Sequence, residues 1–223
     1  MADSVPSEDD VGSSAEMESS APPVGVGPHP VPWPTDDRLD PELLREGDRR
    51  NVADRYRYWS MTAIVADLDQ RRLPYHVAIE NLQHDFNIGS IVRTANAFLA
   101  AEIHVVGRRR WNRRGAMVTD RYQHIRHHES PAELAEWAAS AQIPIIGLDN
   151  VPGSVPLEGF VFPRECVLWF GQEGAGLSPE ALAACDDVLA IASFGSTRSI
   201  NVGAAAAIAM HSWISQHAGD PPG

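Results

Sequence analysis

VAIENLQHDFNIGSIVRTANAF, residues Val77 to Phe98, holds an apolar strand, a polar loop and the start of a helix in one continuous stretch. Ile88, Ile91, Val92, Ala95 and Leu99 recur at the spacing of a buried helical stripe, and Asn87 before them is a favoured N-cap residue. Arg93 falls off that stripe, one turn from Gly89, Ser90, Asn96 and Ala97. Its guanidinium therefore leaves the helix through small residues that allow a ligand or a second chain to come close. A solvated surface arginine would satisfy the same pattern.

Short apolar runs of the length of buried parallel strands recur on either side of this unit: Val77 to Glu80, Glu102 to Val106, Ile143 to Leu148, Cys166 to Phe170 and Val188 to Ile191. Helices alternate with them. Ser130-Pro131-Ala132-Glu133 joins an N-cap, a proline at the first helical position and a capping-box glutamate, followed by Leu134, Trp137, Ala138 and Ala141. Ser178-Pro179-Glu180 repeats the start signal, and Asn201 to Trp213 reads as a helix apolar on nearly every face, to be buried among other elements or in a subunit interface. The pattern is α/β, with a parallel sheet covered by helices on both faces.

Upstream of this domain the chain changes character. Residues 1–35 are rich in Pro, Ser, Gly and acids without periodicity and are expected to be disordered, residues 36–72 to form a helical extension with helices near Pro41 to Arg55 and Ser60 to Asp69, and residues 218–223 to be a short tail after a domain spanning 73–217. No apolar run is long enough for a membrane span, the acidic start lacks the basic region of a signal peptide, and Cys166 and Cys185 show neither a disulfide framework nor metal-ligand spacing. A cytoplasmic location is expected.

The net charge of −12 opposes a polyanionic partner until its distribution is considered. Met1 to Asp48 holds twelve acidic residues against Arg38 and Arg45, which leaves the remainder near neutral. The chain has no lysine. Of its 18 basic residues, all arginines, seven fall at Arg108, Arg109, Arg110, Arg113, Arg114, Arg121 and Arg126, with His124, His127 and His128 between them and Asp120 the one acid. This cluster is either a solvated loop or a patch that contacts phosphates. The three histidines have no acidic ligand cluster beside them, and no metal is expected.

Three ordered motifs carry a resemblance. Asn87-Ile-Gly89-x-Ile91-x-Arg93-x-Ala95, Leu168-x-Phe170-Gly171-x-Glu173-x-x-Gly176-Leu177, and Gly195-x-x-x-Ser199-Ile200-Asn201-Val202 resemble the motifs of the SpoU (TrmH-like) RNA ribose 2′-O-methyltransferases of the SPOUT superfamily, over Val77 to Trp213. The resemblance implies a parallel sheet ending in a C-terminal trefoil knot, S-adenosyl-L-methionine held in the knot loops, tRNA or rRNA as substrate, and a homodimer that completes each active site. It implies Arg93 as the catalytic arginine, with Asn87, Glu173, Ser199 and Asn201 orienting Arg93, the ribose or the loops. Phe170, Gly171, Gln172, Gly174, Gly176, Leu177, Ile191, Ser193 and Ile200 are implied as the cofactor-binding set. The chain departs from the pattern at Ala192, where a proline is usual, at Gly203, where a small hydroxyl residue is usual, and at Leu99, where a glycine is usual. A non-catalytic RNA-binding protein that kept the knotted fold is the alternative. A nicotinamide enzyme would need a phosphate fingerprint after the first strand, and NLQHDFNIGS is not one.

Overall fold

The structure is a computed structural model and describes residues 25–81 and 87–219. The expected tail up to Val24, the loop 82–86 and residues 220–223 lie outside the described residues. Two compact units divide at Trp59/Ser60.

In the first unit, residues 25–35 are not the continuation of a tail. Val26 and Asp48 exchange backbone hydrogen bonds of 2.9 Å in an antiparallel bridge, and His29 N–H donates to Leu44 O at 2.8 Å. Backbone pairing with the segment around α1 (Pro41–Glu46) supplies order that composition alone does not provide. Asp40 caps α1 by accepting from Glu42 and Leu43 N–H, while the buried Asp48 accepts from Arg50 and from Tyr58 N–H. The helix expected through Arg55 stops at Gly47, whose φ of +91° ends it.

The second unit begins with Ser60 capping α2 (Met61–Asp69) and is built on seven parallel strands. These are β1 (Tyr75–Asn81), β2 (Ile103–Gly107), β3 (Ile125–His128), β4 (Ile145–Leu148), β5 (Val155–Pro156), β6 (Cys166–Phe170) and β7 (Asp187–Ala190), in the order β3-β2-β1-β6-β4-β7-β5. β1 and β6, at the centre, are apolar throughout except Glu80, Asn81 and the half-buried His76, as a strand covered on both faces requires. The two edge strands were not visible in the sequence. β3 reads Ile-Arg-His-His, half exposed, and β5 is only two residues long.

The helices are α3 (Ile88–Ala97), α4 (Pro131–Ala141), α5 (Pro179–Ala184) and α6 (Val202–His217). On one face Ile88, Ile91, Val92 and Ala95 of α3 and Ala206, Ala209, Met210 and Trp213 of α6 pack on Val77, Ile79, Leu168 and Phe170. On the other, Leu134 and Ala138 of α4 and Ala181 of α5 pack on Ala78, Val106, Val167 and Trp169. Each such fully buried large side chain is worth about 1.5–3 kcal/mol of apolar transfer. α6 is buried along one stripe, and Ile208 stays 40% exposed. No helix among the described residues is long and apolar enough to cross a membrane.

Candidate active site

In an open parallel sheet ligands gather beyond the carboxyl ends of the strands. Here three segments meet there: Asn87 at the start of α3, the loop after β6 and the loop between β7 and α6. A short polar network joins them. Asn87 Nδ2 donates to Glu173 Oε2 at 2.6 Å, and Asn201 Nδ2 donates to Asn87 Oδ1 at 3.0 Å and to Glu173 Oε1 at 3.2 Å. The Asn201 amide is fixed by its other end, where Oδ1 caps α6 by accepting from Gly203 N–H at 2.9 Å and Ala204 N–H at 3.2 Å. Both asparagines turn their oxygens and nitrogens so that the exposed carboxylate receives only donors.

This geometry corrects the reading of Asn87. It sits in the helical region of backbone space at φ −81° and makes no side-chain cap to α3, because its amide is engaged by Glu173 and Asn201. Gly203, at the position where a hydroxyl residue is usual, lies beside the network: a Cβ there would stand 3.1 Å from Asn201 Oδ1 and 3.7 Å from Asn87 Oδ1.

The loop after β6 is held closed by reciprocal backbone bonds between Gln172 and Gly176 of 2.9 and 3.0 Å. A Cβ at Gly171 would collide with the backbone of Gly176 and Leu177, and Gly176 adopts φ +72° against Asp149, so both positions require glycine. The fold back places Glu173, Gly174 and Ala175 at an exposed tip. Phe170 and Leu177, expected at the cofactor, put their side chains into the two cores instead. They can serve a ligand only through backbone groups.

Residues absent from the sequence-based site hold these loops. Asp149, following β4, accepts from Leu177 N–H at 2.8 Å. The buried Glu80 of β1 accepts from Ser178 N–H at 2.7 Å and from its hydroxyl at 2.6 Å, and burial pushes its carboxyl upward despite those bonds, with Glu180 and Asp149 adding to the rise. Asn150 Nδ2 donates to Arg198 O at 2.9 Å, and Glu158 accepts from Ala192 N–H at 3.1 Å. Polar residues at strand ends are the signal that would have found them.

Arg93 is exposed, as its position off the stripe requires, and makes no ion pair among the described residues. The small residue expected to admit a ligand beside it is already used: a Cβ at Gly89 would stand 2.7 Å from Gly115 Cα and Ala116 N. The segment carrying Arg113 and Arg114 thus packs on the first turn of α3, next to Ser90, one turn from Arg93. Ser193, Ser199 and Ile200 are exposed, Ile191 is partly buried on the core, and Ser199 has no hydrogen-bond partner among the described residues. All seven arginines of the cluster are exposed, and two of them have partners. Arg108, Arg109, Arg110, Arg114 and Arg121 are exposed, Arg113 lies 5.6 Å over Trp111 and 3.6 Å from Asp120, and Arg126 is bound on β3 to Glu102 at 3.1 Å. The histidines between them diverge, His124 to Asp69, His127 to Gly107 O and His128 to His104.

Residues 74–211 match the SpoU rRNA Methylase family, more than half of the chain. The chain belongs to that family. The tRNA (guanosine(18)-2′-O)-methyltransferase of Escherichia coli strain K12 is 25% identical over 153 residues, 67% of each chain. Among solved structures, the A. aeolicus TrmH/SpoU tRNA modifying enzyme superposes with a TM-score of 0.62 at 21% identity, covering 70% of this chain and 81% of that one, which shows the shared SpoU fold. The SpoU methyltransferase AviRb of Streptomyces viridochromogenes, solved in complex with AdoMet, reaches a TM-score of 0.58 at 25% identity over 67% of this chain. This chain spans 60% of AviRb, less than two thirds of its length.

Proposed function

We propose that the protein transfers a methyl group from S-adenosyl-L-methionine to a ribose 2′-hydroxyl of a structured tRNA or rRNA. The observation that carries this reading is the convergence of Asn87 and Asn201, from the first and third motifs, on the Glu173 carboxylate of the second. When bound, the sulfonium supplies an activated methyl group: the new C–O bond forms as the C–S bond breaks, S-adenosylhomocysteine leaves, and the 2′-hydroxyl loses its proton. The residues then have to align the ribose and stabilise the developing alkoxide.

A guanidinium offers donors and no acceptor, so Arg93 acts by holding the adjacent phosphate and the developing oxyanion while phosphate or water takes the ribose proton. The network holds the loop into α3 against the α6 cap, and Ser199 is free to meet the ribose. Gly171, Gln172, Gly174 and Gly176 offer backbone groups to the cofactor, together with Ile191, Ser193 and Ile200 of the third loop. Arg113 and Arg114, carried by the segment on Gly89, extend the site toward the RNA backbone.

In this reading the C-terminal part of the domain forms a trefoil knot, and the exposed apolar face of α6 packs against a second copy in a cytoplasmic homodimer. Sedimentation at micromolar concentration checks the assembly, with a stable monomer as the contrary result. The activity is tested with methyl-labelled cofactor and transcribed tRNA and rRNA fragments, followed by alkaline hydrolysis. Label in alkali-resistant dinucleotides is expected. Label confined to a base overturns the ribose assignment, and a protein that binds RNA but not the cofactor is the non-catalytic alternative.

A further inference from the structure

At the amino ends of β1 and β2, on the face covered by α4, the sheet carries a cluster that methyl transfer does not use. His76 lies beside Glu102 in the strand register, His104 beside Arg126, and Val106 beside His128, so all the polar side chains share one face. His76 Nδ1 stands 3.0 Å from His104 Nε2, and His104 Nδ1 stands 2.9 Å from His128 Nε2. Glu102 Oε2 is 3.8 Å from His104 Nε2. One donor atom from each of His76, Glu102 and His104 lies within 4.8 Å of the others. The Trp137 ring roofs the group, its centroid 4.2 Å from that of His104 and 5.1 Å from that of His76.

We propose that His76 Nδ1, His104 Nε2 and Glu102 Oε2 bind a divalent transition-metal cation of the zinc or copper class. Two imidazoles and one carboxylate are a donor set for these ions. Metal–nitrogen bonds of about 2.0–2.1 Å at a tetrahedral angle place two ring nitrogens about 3.3–3.4 Å apart. The His76–His104 pair needs to open by only a few tenths of an ångström. His76 and Glu102 are partly exposed, which leaves an entry path and a coordination position for water.

The three neutral rings form a ladder in which the buried His128 Nδ1 has no hydrogen-bond partner among the described residues. A cation on His104 Nε2 fixes the direction: His104 Nδ1–H donates to His128 Nε2, and the proton on His128 Nδ1 faces Glu133 Oε1, now 3.9 Å away on a half-exposed side chain. The partner held by the other ring nitrogen of the ligating His104 is thus His128, the outer hydrogen bond that orients a metal-bound imidazole. The charges around the site are Glu102 and Glu165, which act on His76 as negative neighbours, against the Arg126 guanidinium, which shares Glu102. Arg126 is the feature that opposes the cation.

The test uses the full chain without an affinity tag, titrated with Zn²⁺ by calorimetry and with Cu²⁺ by tryptophan quenching. One Zn²⁺ per chain at micromolar or tighter affinity is expected, with a raised thermal midpoint and quenching of Trp137. His76→Gln and Glu102→Gln, each checked for folding by circular dichroism without metal, are expected to weaken binding at least tenfold. Arg126→Gln is expected to strengthen it, and His124→Ala to leave it unchanged. Absence of Zn²⁺ uptake by the native chain, or uptake unaffected in both His76→Gln and Glu102→Gln, overturns the proposal.

Discussion

The two ends of β1 solve opposite problems with polar residues. At its carboxyl end the chain leads to Asn87, whose amide meets Glu173 and Asn201 in a network open to solvent. At its amino end His76 enters a ladder of imidazoles under Trp137, with His104 fully buried. An exposed carboxylate between two amides can exchange partners with a ribose or a phosphate at small cost, because water covers the intermediate arrangements. Neutral rings packed under Trp137 have less such freedom, and a group that accepts their lone pairs is what can join them. Burial, more than residue type, decides which end is free to exchange its partners.

The contrast between the two ends breaks most sharply at Arg93. If the open end is catalytic, Arg93→Ala should fold normally, bind cofactor normally and lose turnover by about 10² or more, the usual cost of one preorganised transition-state contact. Near-native turnover in that variant would remove the assignment. Glu173→Gln comes next. A carboxamide offers one oxygen where Asn87 and Asn201 both present donors, so one of the two N–H₂ groups must face another N–H₂. Hydrogen bonds to a charged group contribute about 1.5–3 kcal/mol, so turnover should fall on the order of tenfold to a hundredfold. Single-turnover rates at saturating cofactor measure it.

Arginines sharpen the same contrast. Arg113 and Arg114 ride on the segment packed against Gly89, whereas Arg126 is bound to Glu102 at the closed end. Replacing Arg113 and Arg114 by alanine should flatten the salt dependence of RNA binding by about 1.4 log units per decade if both neutralise phosphates on single-stranded RNA. Arg126→Ala should leave that slope unchanged. Filter binding between low and physiological salt separates the outcomes, and equal slopes in all three proteins would make the arginines solvated surface.

The sequence carried the central strands and capped helices because each has a local cause: continuous apolar runs for β1 and β6, and Ser-Pro starts for α4 and α5. It did not carry β3, whose Arg-His-His faces become legible only when β2 lies beside them. Nor did it place Asn87, since capping and network formation compete for one amide and the winner depends on Glu173, 86 positions away. Leu99 is a different case: it adopts φ +56°, a conformation for which the family's usual glycine has no penalty, so the departure in sequence marks a strained position in the fold. The imidazole ladder was invisible because its members sit on three strands, and its spacing exists only in the register.

The smallest expected effect lies on β1 itself, at Glu80, between His76 and the loop into α3. Glu80 has the character of the closed end, buried with no ion pair among the described residues, yet it ties down the loop of the open end through Ser178. Burial raises its carboxyl above the ordinary value of 4.5, so the folded chain holds that proton to a higher pH than the unfolded chain does. Between the unfolded and the folded value the folded state binds more protons, and stability falls as pH rises through that window. Glu80→Gln keeps an acceptor for Ser178 N–H and a donor for its hydroxyl while removing the ionisation. The variant should therefore match the native protein at pH values below 4.5 and exceed it in stability at pH 8. Urea midpoints across that range measure the difference. If the native protein is the more stable of the two at pH 8, Glu80 is charged in the fold and Ser178 together with the start of α5 stabilises the anion, which would make this end of β1 as open electrostatically as the network beyond it.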